Sequence, residues 1–297
     1  MTAPQSHKPP PPAADPFVAL RPRLLGIAYR MLGSRAEAED VVQDTWVRWQ
    51  TTDRAAVQDP TGFLVTAATR LAINVAQSAR VRREVYVGPW LPEPIDTSPS
   101  AELGAETQEG LALAVLVLLE KLSPTERAAY VLREVFDYPH EAIAGILQLT
   151  EANVRQLVSR ARKHLAGERR APVDVEQQRR LLENFIAAAQ TGDLSALERL
   201  LAADVASYTD SNGQARMAAR VPVHGRERVA KLVSGGANGF WSGLTLTWLE
   251  TNGQPSVLLC RDGAAFALAS IDASAEGIER IYWVMNPEKL VAFGTPR

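Results

Sequence analysis

Three prolines within six residues, Pro89, Pro92 and Pro94, prevent this chain from folding as one continuous helical domain. Each lacks a backbone N–H and biases the residue before it away from helix. The strip Val87-Gly88-Pro89-Trp90-Leu91-Pro92-Glu93-Pro94 must therefore run extended and semi-rigid. It carries two large apolar groups, Trp90 and Leu91. The plain reading is a linker packed on its neighbour, and the sharper one is a docking peptide.

Before the strip, Pro16 to Arg83 reads as helical. Ala38, Val42, Trp46 and Trp49 recur on one helix face, with Glu37, Asp40 and Asp44 opposite. Ser34 stands at the N-cap with Glu37 three residues on. Asp59-Pro60-Thr61-Gly62 is a turn, and Phe63 to Arg80 is a further helix. After the strip, Leu111 to Leu119 is apolar all round, which predicts a buried helix. Ser123-Pro124-Thr125-Glu126 starts the next helix, which ends near Phe136. A short helix, His140 to Leu147, is joined by a tight turn to a basic one, Glu151 to Leu165, in the pattern of a helix-turn-helix.

From about Asp174 the pattern changes. Glu176 to Ala189 and Leu194 to Leu201 read as helices. Strand-like runs follow at Leu244–Leu249, Val257–Cys260, Ala264–Ala269 and Ile278–Met285. Asn212-Gly213, Asn252-Gly253 and Asp262-Gly263 are hairpin signals. Helices followed by an antiparallel sheet make an α+β domain.

The formal net charge of −2 hides a segregated distribution. Val65 to Arg83 carries four arginines and no acid. Glu93 to Glu120 carries six acids and no base. Glu151 to Arg170 carries six bases against two acids. Two basic segments on amphipathic helices suit nucleic acid. With one cysteine, Cys260, a disulfide framework and a thiolate-rich metal site are excluded. Residues 1–15 are proline-rich without an apolar core and read as a disordered tail, not a signal peptide. The longest apolar run, nine residues, is less than half of the roughly 20 a membrane span needs. These features point to a soluble cytoplasmic protein with no membrane partner, and no cofactor is expected.

Phosphate-binding loops, dinucleotide fingerprints, zinc-protease and nucleophile-elbow motifs do not occur. One catalytic possibility is that Asp204, Asp210 or His224 acts as acid or base in a cone-shaped cavity. Against it, Asp210 reads as the start of a hairpin turn and His224-Gly225 as a bend before a helix.

These residues resemble a known family. Pro16 to Arg83, above all Ala36-Glu37-Ala38-Glu39-Asp40-Val41-Val42-Gln43-Asp44-Thr45-Trp46, is similar to region 2 of the extracytoplasmic-function (ECF) sigma factors. Leu122 to Leu165 resembles region 4, through Leu122-Ser123-Pro124-Thr125-Glu126-Arg127 and Val154–Arg162. The third block resembles a SnoaL-like domain, the cone fold of polyketide cyclases and ketosteroid isomerases. Trp90-Leu91-Pro92-Glu93-Pro94 and Asn286-Pro287-Glu288-Lys289-Leu290 match motifs of the sigma-factor group that carries such an extension. That group's Asp-Gly-Gly-Gly-Lys string is here Asp210-Ser211-Asn212-Gly213-Gln214, with Gln214 in the lysine's place.

The resemblance implies a multidomain chain: a tail at 1–15, an all-α region 2 at 16–84, a linker at 85–107, an all-α region 4 at 108–170 and an α+β SnoaL-like cone at 174–297. It implies a transcription initiation factor, not an enzyme. Its partners would be core RNA polymerase, through the β′ clamp and β flap, and promoter DNA. Glu37, Asp40, Val41, Asp44 and Trp49 would meet the polymerase. Asn74, Arg80, Arg82 and Arg83 would read the −10 element, with Ser78 where many relatives carry Asp. Glu151, Asn153, Arg155, Ser159, Arg160, Arg162 and Lys163 would meet the −35 element. The fused domain would regulate in cis by intramolecular contact with regions 2 and 4, through Trp90, Leu91, Pro92, Glu93, Pro94, Asp210, Gly213, Asn286, Pro287, Lys289 and Leu290. The residues alone leave two alternatives: a ligand-sensing helix-turn-helix regulator, or a cyclase- or isomerase-like enzyme with a helical appendage.

Overall fold

The computed structural model describes residues 15–98, 112–166, 170–215, 218–235 and 239–294. The expected tail up to residue 14 and the linker from 99 to 107 lie outside the described residues. No described helix is long and apolar enough to cross a membrane.

Three helices form the first block: α1 (Pro16–Leu32), α2 (Arg35–Thr51) and α3 (Pro60–Glu84). Gly33, in the left-handed region at φ 66°, ends α1, and Ser34 caps α2 by accepting from the Glu37 N–H. Four more helices follow: α4 (Leu113–Leu119), α5 (Pro124–Glu134), α6 (His140–Leu147) and α7 (Glu151–Ala166). The capping box expected at Ser123 and Glu126 forms, with both reciprocal bonds in place. Helices α1–α7 share one apolar core, whose members include Leu24, Tyr29 and Trp49 from the first block and Leu116, Leu132 and Val158 from the second. The Arg70 guanidinium on α3 donates from Nε to the Ile146 carbonyl of α6 at 2.8 Å.

The C-terminal domain has helices α8 (Val175–Thr191), α9 (Leu194–Leu200) and α10 (Arg226–Gly235). Its strands are β1 (Leu201–Asp210), β2 (Val223–His224), β3 (Leu244–Thr251), β4 (Gln254–Arg261), β5 (Ala264–Ser274) and β6 (Gly277–Val284). A short helix, α11 (Pro287–Leu290), closes it. The sheet order is β2-β1-β6-β5-β4-β3, antiparallel except for the parallel pair β1–β6. This is the α+β cone expected from the sequence. Asn252-Gly253 and Asp262-Gly263 turn β3 into β4 and β4 into β5, each with two positive φ values.

Strand β1 is not among the strands that alternation predicts. A register shift between Leu201 and Ala206 breaks its period of two. Asp210 is consequently the last residue of a strand and not the start of a two-residue hairpin, because β1 reaches β2 through residues 211–222.

Each central strand is buried on both faces. Val257, Leu259, Ala269, Ile281 and Trp283 face helices α8–α10. Leu258, Cys260, Leu268, Tyr282 and Val284 face outward, where Leu91, Leu113, Ala114, Leu290 and Phe293 cover them. This explains why α4 is apolar all round. Leu116, Leu118 and Leu119 enter the helical core, while Leu113 and Ala114 enter the sheet's second core.

Gly33 lies where these bodies meet. A Cβ there would fall 2.7 Å from the Cη2 atom of Trp90, on a backbone that L side chains rarely adopt. Gly33→Ala is expected to cost about 1–3 kcal/mol in a denaturant titration. Adding Trp90→Ala should remove the steric part of the Gly33 effect and leave the backbone part.

Candidate functional site

On α2 the 3.6-residue period separates two faces. Asp40 and Asp44 are exposed, and Glu37 is half-buried at the helix start. Val41 and Trp49, expected at the polymerase surface, are instead core residues at 1% and 2% exposure. They fall on the stripe with Ala38, Val42 and Thr45, and the Trp49 indole N–H donates to Asp15 Oδ1 at 3.0 Å. The exposed part of this face carries Asp40 and Asp44, with Val47 51% exposed one turn further on.

Helix α7 turns Val154, Val158, Ala161 and Leu165 inward. That places Glu151, Asn153, Arg155, Ser159, Arg160, Arg162 and Lys163 all in solvent. Left-handed Gln148 ends α6 and sets up the turn into α7. Arg155 pairs with Glu151, Arg160 with Glu126 at 3.2 Å, and Arg162 with Glu134 at 2.7 Å. Exposed pairs of this kind are worth about 0–1 kcal/mol, so phosphates can displace them.

On α3, Asn74 is exposed. Arg80 and Arg82 continue the helix, but their side chains lie outside the described residues. Arg83, expected at the −10 element, turns inward. Its Nη2 donates to the Leu32 carbonyl at 2.6 Å, it pairs with Glu120, and its guanidinium lies 3.4 Å from the Trp90 ring centroid. Glu120 also pairs with Arg127 at 2.5 Å, and Arg127 Nη1 donates to the Met31 carbonyl at 2.6 Å. Two guanidinium groups thus satisfy the carbonyls that end α1.

The three short motifs meet at one junction. Asp210, fully buried at the end of β1, accepts from the Tyr86 hydroxyl at 2.5 Å, the Leu91 N–H at 2.8 Å and Lys289 Nζ at 2.6 Å. Lys289 also donates to the Leu91 carbonyl and lies 4.2 Å from the Trp90 ring centroid. Burial holds the Lys289 ammonium below the usual lysine range, with Asp210 opposing the shift. Asn286 Nδ2 donates to the Tyr86 hydroxyl at 2.9 Å. Leu91, Pro92, Pro94 and Leu290 are buried, Trp90 and Glu93 are half-buried, and Pro287 and Gly213 are exposed. Gly213 nonetheless sits against Val87, whose Cγ1 would be 3.1 Å from an added Cβ. Gln214, in place of the group's lysine, is exposed, and Lys289 supplies the cation at Asp210.

The linker grips both bodies. The Glu93 N–H donates to the Gly33 carbonyl at 2.7 Å, and the Glu93 carboxylate accepts from the Arg35 N–H at 2.8 Å, an anion at the start of α2. The Tyr29 hydroxyl donates to the Glu93 carbonyl at 2.6 Å and accepts from Asn252 Nδ2 at 2.8 Å. Asn252 Oδ1 accepts from the Ile95 N–H at 3.1 Å, and Asp96 bridges to Thr251 at the end of β3. Sequence reasoning missed Tyr29, Tyr86 and Asn252 as junction residues. Only Asn252 carried a signal, and that signal named a turn.

The cone cavity is separate. Asp204, Asp210 and His224 are not among its described lining residues. Asp204 pairs on the surface with Arg170 at 2.9 Å, and His224 is exposed beside Tyr208. The acid–base set considered for catalysis is not assembled there.

Asp210→Ala is expected to leave the Lys289 ammonium unpaired in a largely buried place and to cost about 3–5 kcal/mol in denaturant unfolding. Asp210→Leu combined with Lys289→Met should recover most of that loss.

Comparison with known proteins agrees with this layout. Residues 17–83 match the sigma-70 region 2 family, and residues 112–165 match sigma-70 region 4. The ECF RNA polymerase sigma factor SigJ of Mycobacterium tuberculosis is 38% identical over 236 residues, covering 77% of this chain and 74% of that protein. The probable ECF RNA polymerase sigma factor SigI of the same species is 30% identical, covering 94% and 95%. The crystal structure of M. tuberculosis SigJ superposes with a TM-score of 0.74 at 32% identity, covering 94% of this chain and 98% of that one. Two sigma-70 regions in this order, with a relative that spans the whole architecture, place the chain in the extracytoplasmic-function RNA polymerase sigma factors.

Proposed function

We propose that this sigma factor binds core RNA polymerase, directs it to promoters through their −10 and −35 elements, and rests in a closed form held in cis by its C-terminal domain. In this reading Glu37, Asp40 and Asp44 face the β′ clamp, and region 4 faces the β flap. Asn74, Arg80 and Arg82 meet the −10 element, and α7 meets the −35 element with Glu151, Asn153, Arg155 and Ser159 nearest the bases. Arg160, Arg162 and Lys163 lie nearer the backbone.

The observation that carries the closed form is that α1–α7 share one core. The two promoter elements lie about 25 base pairs apart, roughly 85 Å along the duplex at about 3.4 Å per step. Neighbouring helices in a core lie about 8–10 Å apart, and α3 reaches α7 through α5 and α6, so about two such steps separate them, far less than that span. Helices α3 and α7 cannot serve both elements without separating. The linker, whose Ile95 enters the helical core and whose Leu91 enters the sheet's outer core, opposes that separation. The partner is intramolecular, so its effective concentration is high. Polymerase then opens the chain only by binding the open state better. Arg83, tied to Glu120 and Trp90 when closed, becomes available to DNA on opening.

In vitro transcription with core polymerase tests this reading. A chain truncated after about Arg170, and the full chain carrying Lys289→Met, should both differ from wild type in promoter binding and initiation. Equal activity of all three would sink cis regulation. Lys163→Ala or Arg162→Ala should weaken promoter binding and lower the log–log salt slope by about one for each phosphate no longer neutralised. An unchanged slope would remove those residues from the DNA surface.

A further inference from the structure

Between the inner face of the sheet and α10 lies a cavity of about 330 Å³, within the range of small-molecule sites. Its walls include Thr209, Val233, Phe240, Trp241, Trp283 and Met285. The rings of Phe240, Trp241 and Trp283 form an edge-on cluster, with centroids 5.1, 6.0 and 6.3 Å apart. None of the described lining residues is charged. An ionic ligand would lose its hydration there without a counter-charge. Polar capacity is present but unused. Among the described residues, nothing hydrogen-bonds the indole N–H of Trp241 or Trp283, or the Thr209 hydroxyl. Ser207, two residues earlier on the same face of β1, is 1% exposed with its hydroxyl equally unpartnered.

We propose that this cavity binds a neutral, largely apolar aromatic small molecule carrying a hydrogen-bond acceptor, and that the interdomain junction senses its occupancy. The second part follows from strand alternation. Thr209 and Trp283 are register partners facing the cavity, and the next pair, Asp210 and Val284, faces the junction. The Met285 N–H donates to the Asp210 carbonyl at 2.6 Å, between a cavity-lining residue and the junction carboxylate. A ligand that shifts Trp283 or Met285 moves the backbone that presents Asp210 to Leu91.

The test uses the full chain and three probes of one ring system: a neutral naphthyl ketone, naphthalene and the corresponding naphthoate. Equilibrium dialysis and quenching of tryptophan fluorescence should show saturable one-to-one binding of the ketone. Naphthalene should bind more weakly, and the naphthoate at least about tenfold more weakly than the ketone. Thr209→Val should weaken the ketone about three- to tenfold and leave naphthalene unchanged. Val233→Phe, which fills the space, should abolish binding of both. Each variant's thermal unfolding is recorded, so that loss of fold is distinguished from loss of site. Absence of saturable ketone binding, equal binding of the naphthoate, or full binding by folded Val233→Phe would overturn the site. Hydrogen exchange at the Leu91 amide, which donates to Asp210, should change at saturating ketone, and unchanged exchange would overturn the coupling.

Discussion

Strands β4, β5 and β6 carry apolar side chains on both faces, and one set of helices covers only one of them. The domain's own α8–α10 shield the inner face. Leu258, Cys260, Leu268, Tyr282 and Val284 on the other face need cover, and most of that cover comes from the linker, α4 and the chain's C-terminal turn. Burying one such side chain is worth about 1.5–3 kcal/mol. The apolar contact therefore dominates the affinity between the two bodies. The sigma regions and the cone are separate in fold class but not in core.

The polar groups at that boundary have a different role. A hydrogen bond nets about 0.5–1.5 kcal/mol, and a buried ion pair adds little over an apolar replacement. Breaking one half of such a pair is costly, so Asp210 and Lys289 make alternative registers of linker on sheet unfavourable more than they strengthen the chosen one. Tyr29, Glu93, Asn252 and Ile95 do the same at the other end of the strip. Between these two pins the side chains of Trp90 and Leu91 have one place to go. Arg83 and Lys289 over the Trp90 ring add cation–π attraction of about 0.5–2 kcal/mol each.

Local structure is legible wherever neighbouring residues set it. The Ser123–Glu126 cap, the start of α6 at His140 and the Asn252-Gly253 and Asp262-Gly263 turns depend on spacing within a few residues, and all are found. Strand β1 escapes because its bulge interrupts the alternation that marks a strand. Position within a resemblance assigns Val41 and Trp49 to a polymerase surface, but position does not register burial. Their own periodicity, shared with Ala38 and Val42, already assigns them inward. Arg83 falls among the DNA-facing bases for the same reason. Its destination depends on Glu120 and Trp90, neither of which is near it on the helix.

The amino-acid sequence by itself determined the main helices, four of the six described strands, the break at Pro89–Pro94 and the two basic helices, because propensity, capping and periodicity act over one or two turns. It also supplied the Trp90–Pro94 and Asn286–Leu290 strings, and the resemblance put them in one interdomain contact without saying which atoms meet. Tertiary structure alone decided that Asp210 pairs with Lys289 and accepts from the Leu91 N–H, and that Tyr29, Tyr86 and Asn252 complete the junction. Those contacts link residues 64 to 223 positions apart. Their energy depends on burial and on donors arriving from distant segments, and neither is encoded in any local stretch.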